Sequence, residues 1–169
     1  MTNTNTDTPH LPPPPPAPDG GVLNRQIAQL LGWKWYRYTG KIASPDPDGR
    51  EYAYFMPDHI VHDGDTVEVI EGELDASLIR VWEQPRCPVP DYAGDPAAAF
   101  ELLDHALTIR QVFKHEISKG LPDGPHRYCR IYTAFGTFVG CADTLPIAIA
   151  LSCRDALAAI KGDTDNGTA

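Results

Sequence analysis

Apolar positions recur at helical spacing in three separated stretches of the chain. In VLNRQIAQLLGW, Leu23, Ile27, Leu30 and Leu31 fall on one stripe, Asp19 or Gly20 marks the start, and Gly32 supplies a stop. In DPAAAFELLDHAL, Asp95 is an N-cap, Pro96 takes the first helical position, and Ala99, Leu102, Leu103 and Ala106 form the buried stripe. In TLPIAIALSCRDALAAI, Asp143 or Thr144 caps the helix and Pro146 sits in its first turn. Leu145, Ile149, Cys153 and Leu157 share one face there, and Ala148, Leu151, Ala156 and Ile160 widen it. A helix so apolar packs broadly against a sheet.

A period of two marks the strands. Tyr128, Arg130 and Tyr132 alternate with Cys129, Ile131 and Thr133, predicting strands over 127–133 and 137–142 joined near Ala134 to Gly136. DGDTVEVIEGEL opens on a turn and then alternates Val67 and Val69 against Thr66 and Glu68, a strand pattern, and SLIRVW reads as a further short strand. TIRQVFKHEIS fits both periods, and its β-branched residues weight it towards a strand. The rest of 34–90 reads as ordered loop, because its tryptophans, tyrosines and phenylalanines must be packed away from water. Helices gathered around an antiparallel sheet define an α+β layered domain.

Composition sets the boundaries. The 169 residues fit one α+β domain over 21–162, carrying a long aromatic-rich insert at 34–90. Residues 1–20 are a polar, then proline-rich leader expected to be disordered, as is the tail 163–169. The start shows no signal-peptide pattern and no run is long enough to span a membrane, so the expected setting is the cytoplasm. A net charge of −9 disfavours general nucleic-acid binding, although basic residues cluster at Arg25 to Lys41 and Arg110 to Arg130. Cys87, Cys129, Cys141 and Cys153 lack zinc-knuckle spacing and read as small buried thiols.

The three helical stretches also carry a resemblance. Leu23-Asn24 with Gly32-Trp33, then Tyr92, Asp95 and Ala97 to Ala99, then Ala142-Asp143-Thr144 with Ala148-Ile149 and Ala156-Leu157 resemble the phage ABA sandwich domain family. The resemblance covers both ends and the middle helix, roughly half the ordered chain, and departs from the family in the leader and the insert. It implies a three-layer α-β-α sandwich with a mainly antiparallel sheet, encoded by a phage or prophage. It implies no catalytic residues and no cofactor.

Two segments offer candidate chemistry. GWKWYRYTG sets Trp33, Trp35, Tyr36 and Tyr38 beside Lys34, Arg37 and Lys41, and aromatic rings interleaved with cations can stack and neutralise a ligand. Packing of those rings into the core competes with that reading. DHIVHDGD offers His59, His62, Asp63 and Asp65 as a divalent-metal set, against a turn stabilised by its own aspartates. Asp104 with His105, His115 with Glu116, and Cys129 or Cys141 with His126 lack an orienting third group.

The expected function is therefore a non-enzymatic accessory protein that binds a host or phage protein, or a small ligand at Trp33, Trp35, Tyr36, Arg37 and Tyr38. The alternative is a small metal-dependent hydrolase or nucleotide-processing enzyme using His59, His62, Asp63 and Asp65. A third reading is a homo-oligomer assembled through a sheet edge or an apolar helix face.

Overall fold

The computed structural model describes residues 19–39, 51–57, 67–70, 79–82, 88–119 and 126–166. Residues 1–18 of the leader, the segment with His59, His62, Asp63 and Asp65, Cys87, and residues 167–169 lie outside them. The element order is α1 (Gly20–Leu30), β1 (Trp33–Tyr38), β2 (Glu51–Pro57), β3 (Val67–Val69), β4 (Ile79–Trp82), α2 (Pro96–Thr108), β5 (Val112–Lys119), β6 (Arg127–Thr133), β7 (Gly136–Ala142) and α3 (Leu145–Asn166). The chain is α+β.

Capping fixes the helix starts. Asp19 accepts from the Gly21 amide and Asp95 from the Ala97 amide, each satisfying a donor that has no partner inside the helix. Gly32 ends the first segment at φ 91°, a conformation that costs other residues a Cβ clash. The ambiguous segment resolves by position: α2 ends at Thr108, three residues turn, and β5 begins at Val112. α3 continues to Asn166, past the domain end at 162 expected from the sequence.

β5, β6 and β7 form an antiparallel meander in that order. One face meets the helices. Cys129 and Ile131 on β6 and Ala142 on β7 join Leu23 and Ile27 of α1, Ala99, Leu102, Leu103 and Ala106 of α2, and Ile149, Cys153 and Ala156 of α3 in one buried cluster. Full burial of each such Leu or Ile contributes about 1.5–3 kcal/mol. The stripes read from the helical period are thus the core, with Leu30, Leu31, Leu145 and Leu151 at its margin.

Two details explain motif residues. Asn24 is buried beneath the turn that leads into α2. It accepts from the Ala93 amide at 2.9 Å and donates to Asp91 Oδ1 at 2.8 Å, and the same oxygen accepts from the Gly94 amide at 2.9 Å. The Leu-Asn pair and the PDYAG stretch are therefore two halves of one joint. At Gly140, α3 crosses β7 so closely that an added Cβ would stand 1.9 Å from the Ala148 carbonyl oxygen.

Among the described residues of the insert, β3 and β4 fall where the sequence predicted strands, and β1 and β2 are strands where it predicted loop. β3, β1, β2 and β4 form a second sheet in that order, antiparallel except for the β2–β4 pair. The aromatic run is itself a strand, because alternate rings can sit on opposite faces of a pleated chain. Periodicity alone was masked by aromatics falling on both faces.

Candidate functional site

Strand β1 divides the aromatic segment between two faces. Trp33 and Trp35 share one face with Phe55 of β2, with ring centroids 5.5 Å and 4.9 Å from the Phe55 ring. Both tryptophans are half-buried and Phe55 is buried beneath them. Arg37 follows on the same face and pairs with Glu68 of β3 at 3.4 Å. Tyr36 points the other way and is 3% exposed, so its ring is a packing group and not a contact surface. Tyr38 closes the strand opposite Val67. The structure thus brings Trp33, Trp35 and Arg37 together and separates Tyr36 from them.

The metal candidates His59, His62, Asp63 and Asp65 lie outside the described residues. Among the described residues, no three His, Cys, Asp or Glu side chains gather as a metal site, and no helix is long and apolar enough to cross a membrane.

A second arrangement stands on the face of the β5–β6–β7 sheet turned away from the helices. The alternation of β6 sends Cys129, Ile131 and Thr133 into the core and leaves Tyr128, Arg130 and Tyr132 on this face. Register sets Lys114 beside Tyr132 and Glu116 beside Arg130. Glu116 is the centre: it pairs with Lys114, accepts from the Tyr132 hydroxyl at 2.8 Å, and stands 3.9 Å from Arg130. The Lys114 ammonium also lies 5.3 Å from the centre of the Tyr132 ring, within cation–π range. Hydrogen bonds from Lys114 and then Tyr132 hold the Glu116 carboxyl below its ordinary pKa, while the bond to Glu116 raises the Lys114 ammonium and the Tyr132 phenol.

This lowering has a sign. Glu116 contributes stability above the ordinary carboxylate range and loses it as pH falls through its depressed folded value. The difference in urea midpoint between wild type and Glu116→Gln is therefore expected at neutral pH and should close in acid. A gap that widens in acid would contradict the network.

At one end of the same face, His126 Nδ1 lies 3.0 Å from Asp143 Oδ1 but makes no hydrogen bond to it, so Asp143 does not serve as an orienting group. Cys141 pairs with Tyr128, and its hydrogen bond raises that phenol. Cys129 and Cys153 are buried, and burial pushes both thiols up, away from a reactive thiolate. His115 and Glu116 occupy opposite faces of β5, so they form no acid–base pair.

Charge concentrates on this sheet. Between residues 110 and 142 stand Arg110, Lys114, Lys119, Arg127 and Arg130 against Glu116 and Asp123, in a chain with 14 basic and 23 acidic residues. Tyr128, Arg130 and Tyr132 were visible in the sequence as strand alternation. What the sequence did not disclose was which face the helices cover. Comparison with family models, with curated proteins and with solved structures finds no match.

Proposed function

We propose that this protein is a non-enzymatic binding module that offers the open face of the β5–β6–β7 sheet to an acidic segment of a partner protein. The observation that carries the reading is the Tyr128–Arg130–Tyr132 row on the central strand, with Tyr132 bound by Glu116 and Glu116 beside Lys114 and Arg130. Tyrosine and arginine dominate binding energy at protein interfaces because they bring large contact area and several donors at low entropic cost. On this face Lys114 and Arg130 stand against Glu116, a positive balance that favours an acidic segment.

The phage or prophage origin and the cytoplasmic setting belong to the same proposal. The supporting feature is the Asn24 joint, which gives the matching Leu-Asn and Tyr-Ala-Gly-Asp stretches one structural task. The α-β-α sandwich is proposed with it. α2 and α3 supply one helical layer, and the bound partner would supply the layer on the open face.

Capture from cell lysate by the full chain tests the reading, with Arg130→Ala, Tyr128→Ala and Trp33→Ala run beside wild type. A protein held by wild type and Trp33→Ala but released by the other two is the expected result. Identical captures from all four chains would overturn it. Loss in Trp33→Ala alone would move the site to the half-exposed Trp33–Trp35 face, as a second reading. A stoichiometric metal in purified protein, lost in His62→Ala, would favour the hydrolase instead.

A further inference from the structure

We infer that strand β7 pairs antiparallel with β7 of a second copy, about a two-fold axis through Val139, to make one continuous sheet. This inference does not depend on the acidic partner proposed above. It starts from the contrast between the two edges of the meander. β5 carries Lys114, His115 and Lys119 and an irregularity at Phe113, the devices that keep an edge from pairing. β7, GTFVGCA, is the other edge among the described residues and has no charge, proline or bulge. Val139, at its centre, is 48% exposed.

The hairpin fixes which backbone groups face outward. Thr133 and Gly136 close a two-residue loop and therefore exchange both backbone hydrogen bonds. Every second residue repeats that bonding, so Phe138, Gly140 and Ala142 are tied to β6. Thr137, Val139 and Cys141 turn their N–H and C=O groups to the open edge. Centring a second copy on Val139 places Val139 opposite its own mate and Thr137 opposite the mate's Cys141. All three outward residues are then paired, through about six backbone hydrogen bonds.

Charge and shape select a second copy as the occupant. A strand without charge accepts an uncharged strand, and β7 is its own match, whereas β5 of another copy would bring Lys114, His115 and Lys119 to the junction. In this register Phe138 faces the mate's Gly140, so no two bulky side chains collide. α3 packs on both β6 and β7, with its backbone against Gly140, so the mate's α3 would lie beside it on the same side of the joined sheet. Ile147 and Leu151, one turn apart and only partly buried, are available on α3 for that contact.

Sedimentation equilibrium of the full chain across a wide concentration range tests the inference. Wild type is expected to be a dimer, and Val139→Lys a monomer with unchanged circular dichroism. Val139→Cys, in a chain carrying Cys87→Ser and Cys141→Ser, should cross-link to its mate under mild oxidation, because facing residues of this kind have Cα atoms at disulfide distance. A wild type that stays monomeric throughout overturns the pairing. So does a dimer that survives Val139→Lys while Val139→Cys fails to cross-link. If Val139→Lys does not fold, the cross-link alone decides.

Discussion

Gly140→Ala is expected to cost about 3 kcal/mol, a large part of the stability of a single domain. The added methyl would stand 1.9 Å from the Ala148 carbonyl oxygen and 2.8 Å from the Ser152 amide nitrogen. Both are backbone atoms in the middle of α3, so no side chain can rotate aside. Strand and helix must separate, and the apolar contacts around Cys129, Ile149 and Cys153 separate with them. Gly32→Ala makes the control. Its Cβ would meet nothing within 4 Å, and only the positive φ of 91° opposes it. That change should cost about 1–2 kcal/mol. Urea unfolding of the two variants checks the ranking. Equal losses would mean that helix and strand do not meet as closely at Gly140.

The second large effect is expected at Asn24. Removing its amide in Asn24→Ala leaves the buried Ala93 N–H without its acceptor and takes one donor from Asp91. An orphaned buried donor costs about 1–3 kcal/mol, with the lost bond to a carboxylate in addition. Asn24→Asp separates the two functions. The oxygen for Ala93 remains, but a second carboxyl now faces Asp91 Oδ1 at the present 2.8 Å contact. Like charge and burial raise the folded pKa of the introduced group above its unfolded value. The pair is tolerated at low pH, where a shared proton restores a donor, and is destabilised as pH rises through the carboxylate range. Unfolding midpoints for Asn24→Asp should therefore fall between pH 4 and neutrality relative to wild type. A variant that loses nothing with rising pH would show that the joint does not bear on stability.

Both predictions concern residues whose type was plain in the sequence but whose partners were not. Asn24 read only as part of a motif, because its partners lie 67 and 69 positions away. Gly140 read as an ordinary strand residue, since a glycine's need for space depends on what crosses it. The half-buried tryptophans and the buried Tyr36 looked alike in one aromatic run, and only pairing with β2 and β3 sorted them. β1 and β2 read as loop because their aromatics fall on both faces, whereas β3 and β4 showed as strand patterns. The sheet they form arises from long-range pairing that no local pattern encodes.

The sequence by itself determined where the three helices lie, the caps Asp19 and Asp95, the stop at Gly32, the buried stripes of α1, α2 and α3, and the β6–β7 hairpin. Each depends on neighbours within one turn or one hairpin, where periodicity and capping act locally. Tertiary structure decided the rest: which face of β6 met the helices, which ionisable groups met at Glu116, and which edge of the sheet was left without charge. Those outcomes follow from register and packing between distant segments, and register turns every side chain of a strand to one face or the other.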